Sequence, residues 1–86
     1  MSYRVEIRPN PGRFLRKLRD KSLAGRFVQA MRVLVENPRP QGCVKLAGEE
    51  SLYRIRVGEY RIIYQIQDEV LLVLIISIGH RREVYR

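Results

Sequence analysis

The 86-residue sequence predicts an α+β fold: two N-terminal helices, a helical hairpin, packed on a curved, largely antiparallel four-stranded sheet in the order β-α-α-β-β-β. Three observations predict it. An alternating apolar and charged stretch opens the chain, apolar residues then recur at three- to four-residue spacing, and from Leu52 onward the pattern switches to the period of strands.

Tyr3-Arg4-Val5-Glu6-Ile7-Arg8 alternates and reads as a half-buried strand. Asn10 offers a cap, and Pro11 stands where a first helical residue needs no N–H, so a short helix is expected over about residues 11–19. Phe14, Leu15 and Leu18 would face inward, and Arg13, Arg16, Lys17 and Arg19 outward. Ser22 can cap a second helix whose stripe is Leu23, Phe27, Ala30, Met31 and Leu34, widened by Val28 and Val35. Asn37-Pro38 ends it, because the residue before proline is driven out of the helical region. Residues 39–42 read as a turn and 44–50 as a loop. Strands follow over 52–57, 60–67 and 70–78, joined by Gly58-Glu59 and Asp68-Glu69, connections short enough to make an antiparallel meander. The last strand is apolar on both faces, as an interior strand should be.

The length bounds this to one domain, 1–86, with a modest core. Cys43 is the only cysteine, so no intrachain disulfide can form and a reducing cytoplasm is expected. Met1 to Val5 carries no apolar leader, and the apolar run from Val70 is too short to cross a bilayer, so neither targeting nor a membrane partner is expected. The net charge of +8 with a pI near 10.4 points to a polyanionic partner. Fourteen of the 17 basic residues are arginine, the planar fork that grips phosphate in bidentate fashion.

If Gly58-Glu59 closes a two-residue hairpin, Val57 pairs with Tyr60, Arg56 with Arg61, Ile55 with Ile62, Arg54 with Ile63 and Tyr53 with Tyr64. One face then carries the apolar and tyrosine residues for the helices to cover. The other carries Arg54, Arg56 and Arg61. Like charges directly opposite destabilise a sheet by about 0.2–1 kcal/mol, which suggests an anion is met there. The tail after Ile78 holds His80, Arg81, Arg82, Tyr85 and Arg86, and Gly79 is expected to turn it across this face. Those residue types can hold a phosphodiester and move protons around it without a metal.

The string Leu52 to Tyr64, the preceding Asn37-Pro38-Arg39-Pro40 and Lys45-Leu46, and the closing Gly79 to Tyr85 together resemble the RelE family of bacterial and archaeal toxins. The resemblance spans nearly the whole chain. It implies a compact domain that enters the ribosomal A site and cleaves mRNA there, with no cofactor, and that is suppressed by a RelB-like antitoxin. By position, Arg61 matches the family arginine at the scissile phosphate, and Arg54 and Arg56 stand where some members carry lysines. Arg81 matches the basic residue of the C-terminal motif, and Tyr85 the tyrosine near the attacking hydroxyl. RNA supplies its own nucleophile, the 2′-OH, so the protein must add in-line geometry, charge stabilisation and proton transfer. Guanidiniums stabilise charge but stay protonated, which leaves Tyr85 or His80 as the general base. Arg13, Arg16, Lys17, Arg19, Lys45, Arg82 and Arg86 make up the expected RNA-binding set. Two other readings are a ParE-like gyrase inhibitor on the same fold and a non-catalytic nucleic-acid-binding module.

Overall fold

The structure is a computed structural model that describes residues 2–48 and 51–80. Strand β1 (Arg4–Ile7) leads into helix α1 (Pro9–Lys17) and helix α2 (Lys21–Glu36), followed by β2 (Val44–Lys45), β3 (Leu52–Val57), β4 (Tyr60–Gln67) and β5 (Leu72–His80). These strands form one five-stranded sheet in the order β1-β5-β4-β3-β2. Among the described residues, only the β1–β5 pair is parallel. The sheet therefore has one more strand than expected. The addition is β2, whose two residues pair with Arg54 and Tyr53 and are extended by a Leu46 N–H to Leu52 carbonyl bond of 2.9 Å. Two residues are too few to show a period, so a loop reading was all that this stretch allowed.

The helices start elsewhere than expected. Helix α1 begins at Pro9 with Arg8 as its N-cap, and Asn10 lies inside the first turn, where its side chain accepts from Arg13. Two prolines fit that turn because its N–H groups lack helical partners in any case. Helix α2 is capped by Asp20, whose carboxylate accepts from the Leu23 N–H at 3.0 Å, and Ser22 is the second residue of the helix. Its end at Asn37 before Pro38 agrees with the sequence.

Phe27 and Leu34 of α2, both without solvent exposure, pack on Ile55, Val57, Ile62, Tyr64, Ile66, Val73 and Ile75 of the sheet. Phe14 from α1 joins Phe27 and Tyr60 in an aromatic cluster with ring centroids 5.5–5.8 Å apart, spacings at which edge-to-face pairs add about 0.5–1.5 kcal/mol each. Both helices therefore cover one face of the sheet.

The β4–β5 connection is longer than the expected two residues. A 3-10 turn, Asp68–Val70, and Leu71 at φ 52° intervene before Leu72 pairs with Gln67. A bulge follows. Ile63 pairs with Ser77 but Tyr64 with Ile75, so Ile76 is the extra residue. Such a bulge bends the strand and increases its twist, curving the sheet beneath its arginines.

Candidate functional site

The β3–β4 hairpin has the register read from the sequence: Arg56 faces Arg61 and Arg54 faces Ile63, while Val57, Ile55 and Tyr53 face Tyr60, Ile62 and Tyr64. Gly58 supplies φ +60° at the turn. Because Leu52 bonds outward to Leu46, residues of even number in β3 direct their main-chain groups away from β4. Arg56 and Arg61 are thus a non-hydrogen-bonded pair, the closer kind, with Cα atoms about 4.5 Å apart. Arg56 is exposed, Arg54 half-buried, and Arg61 only 8% exposed. A guanidinium this far out of water stays charged, and its burial is costly unless that charge is matched.

The remaining expected site residues do not all join this face. Strand β5 runs on through Gly79 and His80, and Gly79 does not turn the chain across the sheet as expected. The ladder continues: Arg61 pairs with Gly79 and Tyr60 with His80. Period-two alternation therefore puts His80 on the helix-covered side, where its ring lies 5.6 Å from Tyr60 at 77°. Gly79, without a side chain, is what stands opposite Arg61. Lys45 pairs with Tyr53 and shares the helix side of the sheet edge, whereas its neighbour Val44 stands opposite Arg54. Arg13, Arg16, Lys17 and Arg19 are all exposed and belong to the helical layer, so they form a second basic surface on the far side of the sheet. Arg16 and Lys17 lie in the last turn of α1, where cations suit the helix dipole. Arg81, Arg82, Tyr85 and Arg86 lie outside the described residues.

Sequence reasoning left Arg39 without a role. Its guanidinium meets both carboxylate oxygens of Asp68, at 2.8 and 3.3 Å, and its Nε donates to the Tyr53 hydroxyl at 3.1 Å. The Tyr3 hydroxyl donates to the same carboxylate at 2.6 Å. Arg39, then Tyr3, hold the Asp68 carboxyl below its ordinary range, and Asp68 in return raises the Tyr3 phenol. Beside this cluster the buried Tyr64 hydroxyl donates to the Pro38 carbonyl at 2.8 Å, and burial first, then Cys43, raise its pKa. These contacts join β1, the α2–β2 turn and the β4–β5 turn at the end of the sheet remote from Gly58. The only local signal for them is the Asn37 side chain, which accepts from the Arg39 N–H at 3.1 Å and shapes the turn.

A family model described as the ParE toxin of type II toxin-antitoxin systems, parDE, matches residues 5–85. A RelE-like toxin protein of Escherichia coli is 30% identical over 83 residues, covering 94% of this chain and 85% of that protein. The chain belongs to the RelE/ParE family of type II toxins. Among solved structures, the archaeal RelE–RelB complex from Pyrococcus horikoshii OT3 gives a TM-score of 0.84 at 29% identity, covering 98% of this chain and 100% of that one. The isolated E. coli RelE toxin gives 0.80 at 30% identity, covering 98% and 92%. The two-helix layer on one face and the arginine-bearing hairpin on the other are therefore the architecture of a toxin.

Proposed function

We propose that this toxin is an endoribonuclease that enters the ribosomal A site and cleaves the mRNA there, stopping translation in the cytoplasm. The observation that carries this reading is the Arg56–Arg61 pair on the open sheet face, with Arg54 beside it. Several guanidiniums gathered at one spot are suited to a pentacoordinate phosphate, whose charge rises in the transition state. In the proposed reaction the 2′-oxygen attacks the adjacent phosphorus, the P–O5′ bond breaks, and the products are a 2′,3′-cyclic phosphate and a 5′-hydroxyl. The base takes the 2′-proton, and the leaving 5′-oxygen takes one from water. Arg54, Arg56, Arg61 and Arg81 stabilise charge in this scheme and transfer no proton. The packing of His80 on Tyr60, on the helix side, favours Tyr85 as the base. Ribosomal RNA would meet the exposed Arg13, Arg16, Lys17 and Arg19, with Lys45, Arg82 and Arg86 as further proposed RNA contacts and binding weakening as salt rises.

The partner follows from charge and kinship. A chain of net charge +8 suits an acidic segment that folds as it binds, and the P. horikoshii relative is seen in complex with RelB. A RelB-like antitoxin is the proposed suppressor. The family model's ParE description favours a second reading, inhibition of DNA gyrase. Brief expression in a bacterium, with RNA 5′ ends mapped against reading frames, separates the two. In-frame cuts that disappear with Arg61→Ala and Tyr85→Phe support the nuclease. Growth arrest without new 5′ ends, accompanied by loss of gyrase supercoiling activity, supports the ParE reading.

A further inference from the structure

A cleft of about 280 Å³ opens between α2 and the outer edge of β3, lined by Arg26, Gln29, Ala30, Arg56 and Val57. Among the described residues, its charged and polar side chains are two guanidiniums and an amide, and no carboxylate lines it. Arg26 sits on an exposed turn of α2, and its Nη1 lies 3.1 Å from where a β-carbon on Gly58 would be. The guanidinium thereby lies against the hairpin turn. Arg56 belongs to two groups at once: it lines this cleft, and it stands in register opposite Arg61 on the open face. Arg26, Arg56 and Arg61 thus form a series that passes from the helical layer, around the sheet edge, onto the arginine face.

The planar fork of arginine matches anionic phosphate oxygens two at a time. A nucleic acid strand supplies such anions at regular intervals. The cleft lies next to the face proposed to hold the scissile phosphate, so a strand leaving that face would carry its following phosphate to the sheet edge. We propose that Arg26, with Arg56 and Gln29, forms a subsite for a backbone phosphate next to the scissile one. This rests on the nuclease reading of the Arg56–Arg61 face. Arg26 is here a positioning residue: by gripping a non-reacting phosphate it lends binding energy to in-line alignment. The amide of Gln29 adds an uncharged donor.

The test uses single-turnover cleavage of mRNA on programmed ribosomes. The message is synthesised with an uncharged methylphosphonate at the phosphate on one side of the cut or on the other. The wild-type toxin is expected to slow ten- to hundredfold with one of these substitutions, as for loss of one charge-assisted hydrogen bond. Arg26→Ala should show the same slowing on natural mRNA and no further loss on that methylphosphonate message, and Arg26→Lys should recover part of the rate. Alanine favours a helix, so thermal melting is expected to show an intact fold. Wild-type rates from Arg26→Ala, or slowing that multiplies with the methylphosphonate effect, would overturn the subsite. If Arg26→Ala cuts normally but escapes neutralisation by the antitoxin, the cleft serves a protein partner and the subsite is again refuted. A wild-type protein that leaves natural mRNA uncut removes the nuclease reading itself, and the subsite with it.

Discussion

Replacing Arg56 by Gln should make the protein more stable and less active. The side chain is exposed and faces Arg61 across a non-hydrogen-bonded pair, the closest approach two strands allow. Like charges in cross-strand register repel by about 0.2–1 kcal/mol. Glutamine keeps the length and polarity of the side chain while removing its charge. Allowing for counterion screening, the expected gain is about 0.5 kcal/mol, which for a domain of this size raises Tm by about 2–4 °C. Thermal unfolding at low salt measures it, and the gain should vanish near 1 M salt, where the Debye length falls to about 3 Å. Inorganic phosphate should stabilise the wild type more than the variant, since only the wild type presents the full pair. Cleavage by the variant should fall at the same time. A loss of stability at low salt, or a gain that persists at 1 M, would refute the account of Arg56 and Arg61 as like charges repelling across the strands.

The Arg39–Asp68–Tyr3 cluster sets a pH dependence. A carboxyl depressed in the fold contributes fully above its unfolded value, about 3.9, and less as pH falls through the lower folded value. Asp68→Asn should therefore lower Tm at neutral pH and flatten the acid limb of a Tm–pH curve, and an unchanged acid limb would speak against the cluster. Tyr64→Phe leaves the Pro38 carbonyl without its buried donor, so urea unfolding should show a loss of about 1–2 kcal/mol with the slope unchanged. Gly58→Ala meets a left-handed φ of +60° and crowds Arg26, and should cost about 1–2 kcal/mol in the same assay. A stability equal to wild type would show that the turn adopts another geometry.

The hairpin was legible because two local signals agreed. Gly58-Glu59 fits a two-residue turn, and the alternation on either side allows one register that puts tyrosine and isoleucine on the helix side and arginine on the other. Both helices were legible for the same reason, since the stripe from Leu23 to Leu34 has one period only. Their starts were less so. Asp20 and Ser22 are both able caps, and the choice between them depends on how the chain arrives from α1. The arginine face was legible as far as Arg54, Arg56 and Arg61, whose shared side follows from alternation alone. His80 was not, because its face depends on whether β5 ends before or after Gly79, and the ladder with β4 carries it on.

Local pattern by itself determined the α+β class, the two-helix layer, the register of the central hairpin and the basic character of its open face. These rest on periods of 2 and 3.6 residues and on turn chemistry, which act over a few neighbours. Tertiary structure alone decided the parallel pairing of β1 with β5, the two-residue strand β2, the Ile76 bulge, the Arg39–Asp68 clamp and the side of the sheet that His80 occupies. Each of these joins residues far apart in the chain, and for them the outcome is set by which distant main-chain groups and charges meet as the core closes.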